Sequence, residues 1–132
     1  IDGFILNRLQ GALLNEAIRL YSEGYASADD IDSTVRNGLG LRWAFMGPFE
    51  TIDLNAPGGI RDYIKRYGSM FYEMAKNQKK LPDWSDKNAE KLEKERRVFL
   101  SKEDLKLRAE KRNNLLKSLR KLKKDMNENV RE

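Results

Sequence analysis

Gly3-Phe4-Ile5-Leu6-Asn7-Arg8-Leu9-Gln10-Gly11-Ala12-Leu13-Leu14-Asn15-Glu16-Ala17-Ile18-Arg19-Leu20-Tyr21 is the stretch that decides the fold class. Phe4, Ile5, Leu9, Ala12, Leu13, Ala17, Ile18, Leu20 and Tyr21 recur at steps of three and four, the period of a helix. Their stripe is wide enough to predict a helix that is mostly buried. Gly24 stands just past the last turn, where a C-terminal stop belongs.

Working outward, Ser27-Ala28-Asp29-Asp30 has a capping hydroxyl and a carboxylate three residues later, so a second helix is expected through Ile31 and Val35. Gly38 is expected to end it, and the run from Gly38 to Gly47 to be too glycine-rich for a helix. Pro48 suits the first position of a third helix, through Phe49, Ile52 and Leu54, because its missing N–H is an orphan there anyway. Pro57-Gly58-Gly59 breaks the chain. A fourth helix fits Ile60 to about Lys76, with Ile60, Tyr63, Ile64, Tyr67, Phe71 and Met74 on one face. Leu81-Pro82-Asp83-Trp84 is a connector. Ser85 can cap a fifth helix, and Ser101-Lys102-Glu103-Asp104 repeats the capping pattern before a long last one. In that helix Leu115, Leu119, Leu122 and Met126 form an apolar stripe. Sustained strand-like alternation is missing, so the expectation is an all-α chain of about six helices.

The 132 residues include 26 Lys plus Arg, 21 Asp plus Glu, no Cys and no His. That length suits one domain, able to bury about two thirds of its unfolded surface without metals or disulfides. Without Cys there is no disulfide scaffold, thiolate metal site or cysteine nucleophile. Without His there is no imidazole acid/base and no Ser-His triad. Mean hydropathy is −0.77, and no apolar run approaches the roughly 20 residues of a helical membrane span. Asn7 and Arg8 break the N-terminal apolar stretch, so it does not read as a signal peptide. A start at Ile1 rather than Met leads us to expect a piece of something longer.

The net charge of +5 is uneven: residues 1–66 carry −2 and residues 67–132 carry +7. Lys117, Arg120, Lys121, Lys123 and Lys124 could track a phosphate backbone. The same tail holds Glu103, Asp104, Glu110, Asp125 and Glu128, and no aromatic residue to stack on bases. A solvated, mixed-charge helix face is the better account, with a basic module for nucleic acid or an acidic partner as the rival. Asp29, Asp30 and Asp32 sit at a helix start, where negative charge suits the dipole, and their spacing suits no metal. Gly38-Leu39-Gly40 follows a helix and is not completed to G-x-G-x-x-G, so no cofactor-binding residue is assigned.

Two features resist structural explanations. Asn7 lies inside an apolar helix start, where a buried amide must find partners. It points into a shared cleft or bonds to a neighbouring backbone; spacing leaves both open. Leu41-Arg42-Trp43-Ala44-Phe45 sets an Arg among aromatics. Arg42 could bind a carboxylate or phosphate, or simply stack on Trp43.

At these residues the sequence resembles a known family. Gly3-Phe4-Ile5-Leu6-Asn7-Arg8-Leu9 is similar to the opening of the C-terminal domain of the L-3-hydroxyacyl-CoA dehydrogenase family. Asp30-Ile31-Asp32, Gly38-Leu39-Gly40 and Gly47-Pro48-Phe49-Glu50 look like its second block, and the likeness covers residues 3–67. The run Gly40 to Pro48, with its Arg42, departs from the fatty-acyl enzymes, which have a shorter step there. It is similar instead to the lambda-crystallin branch, which has L-gulonate 3-dehydrogenase activity, and to carnitine dehydrogenases. The resemblance implies a helical substrate and dimerisation core at 1–84, and a charged helical extension at 85–132. It implies that NAD and a His–Glu catalytic pair belong to a Rossmann domain outside this chain, which binds no cofactor or metal and is inactive alone. Asn7 matches the family's Asn, which touches the reacting oxygen. A cytoplasmic homodimer acting on a small 3-hydroxy acid is expected, with no nucleic-acid or membrane partner. Our own reading adds Arg42 as the group that selects a free carboxylate over a thioester.

Overall fold

The computed structural model describes residues 2–130, with the side chains of residues 3–127. Among the described residues the regular structure is all helical, in six runs. They are α1 (Asp2–Ser22); α2 (Ala28–Thr34), which continues through a π turn (Val35–Leu39) into α3 (Gly40–Trp43); α4 (Pro48–Leu54); α5 (Gly59–Asn77); α6 (Asp86–Phe99); and a 3₁₀ turn (Lys102–Asp104) that opens α7 (Leu105–Val130). The chain divides into two compact units, one reaching Leu92 and the other starting at Glu93.

In the first unit the helix ends follow their sequence signals. α1 closes with Gly24 at φ +79°; Tyr25 N–H donates to Leu20 O and Gly24 N–H to Tyr21 O, both at 3.0 Å. This is a Schellman closure, and its left-handed position is why Gly24 is a glycine. Ser27 and Asp30 form a reciprocal capping box: Asp30 N–H donates to Ser27 Oγ at 3.1 Å and Ser27 N–H to Asp30 Oδ2 at 3.4 Å. Pro48 opens α4, and the buried Thr51 hydroxyl donates to Gly47 O at 2.8 Å.

The glycine-rich run after Val35 does not break the helix as expected. The backbone widens by one residue instead, Gly40 N–H reaching Val35 O, and helix resumes to Trp43. A Cβ on Gly40 would lie 2.8 Å from that carbonyl. Glycine here permits a π turn rather than ending a helix.

The α4–α5 corner caps the start of α5 from within. Gly58, the N-cap of α5, has no side chain to cap with, and two carboxylates take its place. Asp53 Oδ1 accepts from Ile60 N–H at 2.7 Å, and Asp62 Oδ2 accepts from Gly58 N–H at 3.0 Å. Asp62 also pairs with Arg66 at 2.9 Å. The Arg66 hydrogen bond, then that from Gly58, hold the Asp62 carboxyl below its ordinary 3.8.

The connector from residue 78 to 85 is tied to α1. Arg19 Nε donates to Lys80 O at 2.7 Å, and Trp84 Nε1 donates to Asn15 Oδ1 at 3.0 Å. Ser85 Oγ accepts from Asn88 N–H at 3.3 Å, capping α6 as expected. The Asn88 side chain, only 4% exposed, donates to Asp83 O at 2.9 Å, so its burial leaves the amide partnered. In the second unit Ser101 makes no side-chain cap bond. Asp104 N–H bonds to Ser101 O instead, and α7 opens through the 3₁₀ turn.

The side-chain core is thin. Among the described residues Ile18, Ala28 and Ala56 are its buried apolar members, and no large side chain is fully enclosed. The mostly buried α1 expected from its stripe is therefore corrected. Phe4 is 68% exposed, Leu6 64% and Leu9 58%. The periodicity identified the helix correctly; among the described residues no layer covers its first half.

Candidate substrate-binding site

The first turns of α1 are apolar over a wide arc. At 100° per residue Phe4, Ile5, Leu6 and Leu9 spread around about half the helix, and all are exposed. An apolar stripe this wide normally faces a core. Here it forms an open patch with two polar members, Asn7 and Arg8. The Arg8 guanidinium stands 5.9 Å from the Phe4 ring centroid, a cation–π contact that occupies its charge. The Asn7 side chain is exposed and has no hydrogen-bond partner among the described residues.

Asn7 lies between Gly3 and Gly11 on one line of the helix, four residues from each. A Cβ at either glycine would meet nothing within 4 Å. The amide thus sits in a strip without side chains, where a small molecule or another backbone can approach closely. Asn7 stands out in the sequence as a polar residue in an apolar run; the strip around it is signalled only by the i−4 and i+4 glycines.

Arg42 belongs to the last turn of α3. Its carbonyl accepts from Phe45 N–H at 3.1 Å and Met46 N–H at 3.3 Å, so its backbone is fixed. Its guanidinium is exposed and has no ion pair or hydrogen bond among the described residues. Stacking on Trp43 is not observed. Adjacent helical residues diverge by about 100°, and the cation–π contacts found are Arg8 on Phe4 and Lys76 on Tyr72.

A groove of about 280 Å³ lies between α1 and the α2–π segment, lined mainly by Leu13, Ala17, Leu20, Ile31, Val35 and Leu39. Neither Asn7 nor Arg42 lines it, so it is not where the two would meet. Asp30 is committed to its capping box. On α5 the rings of Tyr63 and Tyr67 lie 4.8 Å apart, and those of Tyr63 and Phe71 6.4 Å. With the exposed Ile64 and Met74 they form a second open apolar face. No helix of the described residues is long and apolar enough to cross a membrane.

The profile of the 3-hydroxyacyl-CoA dehydrogenase C-terminal domain matches residues 3–97, from the Asn7 strip into the last turn of α6. The chain belongs to that family. It is 42% identical to lambda-crystallin of Oryctolagus cuniculus, over 96% of this chain and 40% of the relative. To L-carnitine dehydrogenase of Oceanobacillus iheyensis it is 32% identical, over 77% of this chain and 38% of the relative. A 3-hydroxyacyl-CoA dehydrogenase of Gibberella moniliformis is 47% identical over 50% of this chain and 20% of its own length. The chain thus spans about two fifths of the lambda-crystallin it matches. The relatives with enzyme names are dehydrogenases, and the match with lambda-crystallin runs on into the charged tail beyond residue 97.

Proposed function

We propose that this chain is the substrate-binding and dimerisation domain of an NAD-dependent 3-hydroxyacid dehydrogenase of the L-gulonate 3-dehydrogenase type. The single observation that carries the reading is the open apolar start of α1 with its unpartnered Asn7, in a chain of this dehydrogenase family. A surface so apolar needs a cover, and a nucleotide-binding half closing on it would leave Asn7 at the seam.

The described residues contain no strand, and so no strand–glycine turn–helix cradle for a dinucleotide. They do not fit the cofactor, so redox chemistry and proton abstraction are assigned to the other half. The role left to this chain is to bind and orient. The Asn7 amide donates to the substrate oxygen at the reacting carbon and fixes its direction. A donor aimed at an oxygen whose charge grows in the transition state is typically worth about 10²–10³ in rate. The Arg42 fork binds the free carboxylate of a 3-hydroxy acid. Carnitine, the substrate in the name of one relative, also presents a carboxylate. An acyl-CoA thioester presents none, so the Arg42 chemistry favours the acids. The exposed face of α5, with Leu14 further along α1, supplies apolar surface for a second copy.

The test is Asn7→Ala in the dehydrogenase that contains this chain. Expected are an approximately 100-fold fall in kcat/KM for L-gulonate and an unchanged melting temperature. An unfolded variant would make Asn7 structural, and unchanged kinetics would remove it from the site. A salt-dependent shift of the wild-type chain with DNA or RNA would favour the basic-module rival.

A further inference from the structure

Two glycines two residues apart, Gly38 and Gly40, behave differently in the structure. A Cβ on Gly38 meets nothing within 4 Å, while one on Gly40 lies 2.8 Å from the backbone oxygen of Val35. That oxygen is the acceptor of the Gly40 N–H in the π turn. A backbone carbonyl cannot swing aside as a side-chain tip can, so any side chain at Gly40 opposes the π turn itself.

The π turn changes where Arg42 points. In an unbroken α-helix Arg42 would fall seven residues after Val35 and eleven after Ile31, within about 20° of both. Ile31 and Val35 line the apolar groove against α1. Arg42 would then extend the apolar stripe, with its charge aimed at the α1 side of the helix. One extra residue in the turn rotates everything after it by about 100°. Arg42 leaves the stripe, and its guanidinium is exposed and unpartnered among the described residues.

We infer that the Val35–Leu39 π turn, held open by Gly40, is a positioning device that turns Arg42 off the apolar stripe and toward the substrate carboxylate. The inference rests on the Arg42 reading given above. Gly40 touches no substrate; it acts through the azimuth of Arg42.

Steady-state kinetics with L-gulonate on the dehydrogenase containing this chain test it, using Arg42→Ala, Gly40→Ala, Gly38→Ala and the Gly40→Ala/Arg42→Ala double variant. Expected for Arg42→Ala is a KM raised about tenfold or more with kcat little changed. Gly40→Ala should do the same, and in the double variant it should add less than about twofold, because both changes remove one interaction. Gly38→Ala should leave KM within about twofold of wild type. Deleting Gly38 in the Gly40→Ala background removes the extra residue, lets the substituted alanine bond to Val35 in ordinary α register and keeps the Arg42 azimuth. That deletion should restore KM, which a merely structural role for Gly40 would not require. If Gly40→Ala does not fold, deletion of Gly38 alone takes its place and must leave KM unchanged. A normal KM for Gly40→Ala, effects that multiply in the double variant, or a raised KM for the Gly38 deletion would overturn the inference and leave Arg42 in the site. Unchanged kinetics for Arg42→Ala would overturn the Arg42 reading and this inference with it.

Discussion

The α4–α5 corner and the start of α1 are built on opposite principles. At the corner, Asp53 and Asp62 reach back to the amides of Ile60 and Gly58, and Arg66 braces Asp62, so these two backbone amides are capped by near neighbours. At the start of α1, Phe4, Ile5, Leu6 and Leu9 face outward, and Asn7 has no partner among the described residues. One region caps its backbone from within; the other leaves a polar amide unpartnered in an exposed apolar run. On the function proposed above, the contrast separates residues that hold the fold from residues that serve the site, although both regions are rich in glycine.

The same substitution therefore has opposite signs in the two places. Gly59 has φ +79°, and its missing Cβ would lie 2.8 Å from Asp53 Oδ1, the oxygen that caps α5. Gly59→Ala should cost about 1–3 kcal/mol in denaturant unfolding of the chain. Gly11→Ala, in open space on α1, should stabilise the chain by about 0.5–1 kcal/mol through helix propensity while impairing the assembled dehydrogenase. Equal and small effects at both positions would erase the contrast.

A smaller effect should appear with pH. The Asp62 carboxyl is held below its ordinary 3.8 by the Arg66 hydrogen bond and then by the Gly58 amide. A lowered folded-state pKa stabilises fully above the unfolded value and loses that contribution as pH falls through the folded one. Asp62→Asn should melt slightly below wild type at about pH 7, and the gap should close progressively below about pH 4. Arg66 is exposed and Asp62 only partly buried, so the pair is screened, the shift is modest and it shrinks further in high salt. A gap independent of pH would mean that the carboxylate charge does not brace the corner.

Legibility in the sequence followed the same divide. Helices closed by local signals were read from those signals: Gly24 after α1, the Ser27–Asp30 box, Pro48 at α4 and Ser85 at α6. The Gly38–Gly40 run was misread because a π turn and a helix stop ask for the same small residue, and a single-residue widening leaves no period to detect. At Ser101 the capping pattern marks the right start, but the Asp104 N–H goes to the Ser101 carbonyl in a 3₁₀ turn and the side-chain cap is not made. The expected burial of α1 failed for another reason. Periodicity reports which face wants cover, and does not report whether this chain provides it. At the site, Asn7 was visible as a polar residue in an apolar run. The Gly3–Asn7–Gly11 strip emerges only when helical spacing is read across the motif rather than within it. The azimuth of Arg42 depends on the π turn, so no α-helical reading of the sequence could have placed it.

The central claim is that this chain holds substrate while a separate nucleotide-binding half performs the redox chemistry. The most direct measurement is NAD-dependent oxidation of L-gulonate by the purified chain, by a matching nucleotide-binding half, and by the two co-expressed. Activity is expected only from the co-expressed pair. Activity from the chain alone, or none from a co-purified and folded pair, would contradict it.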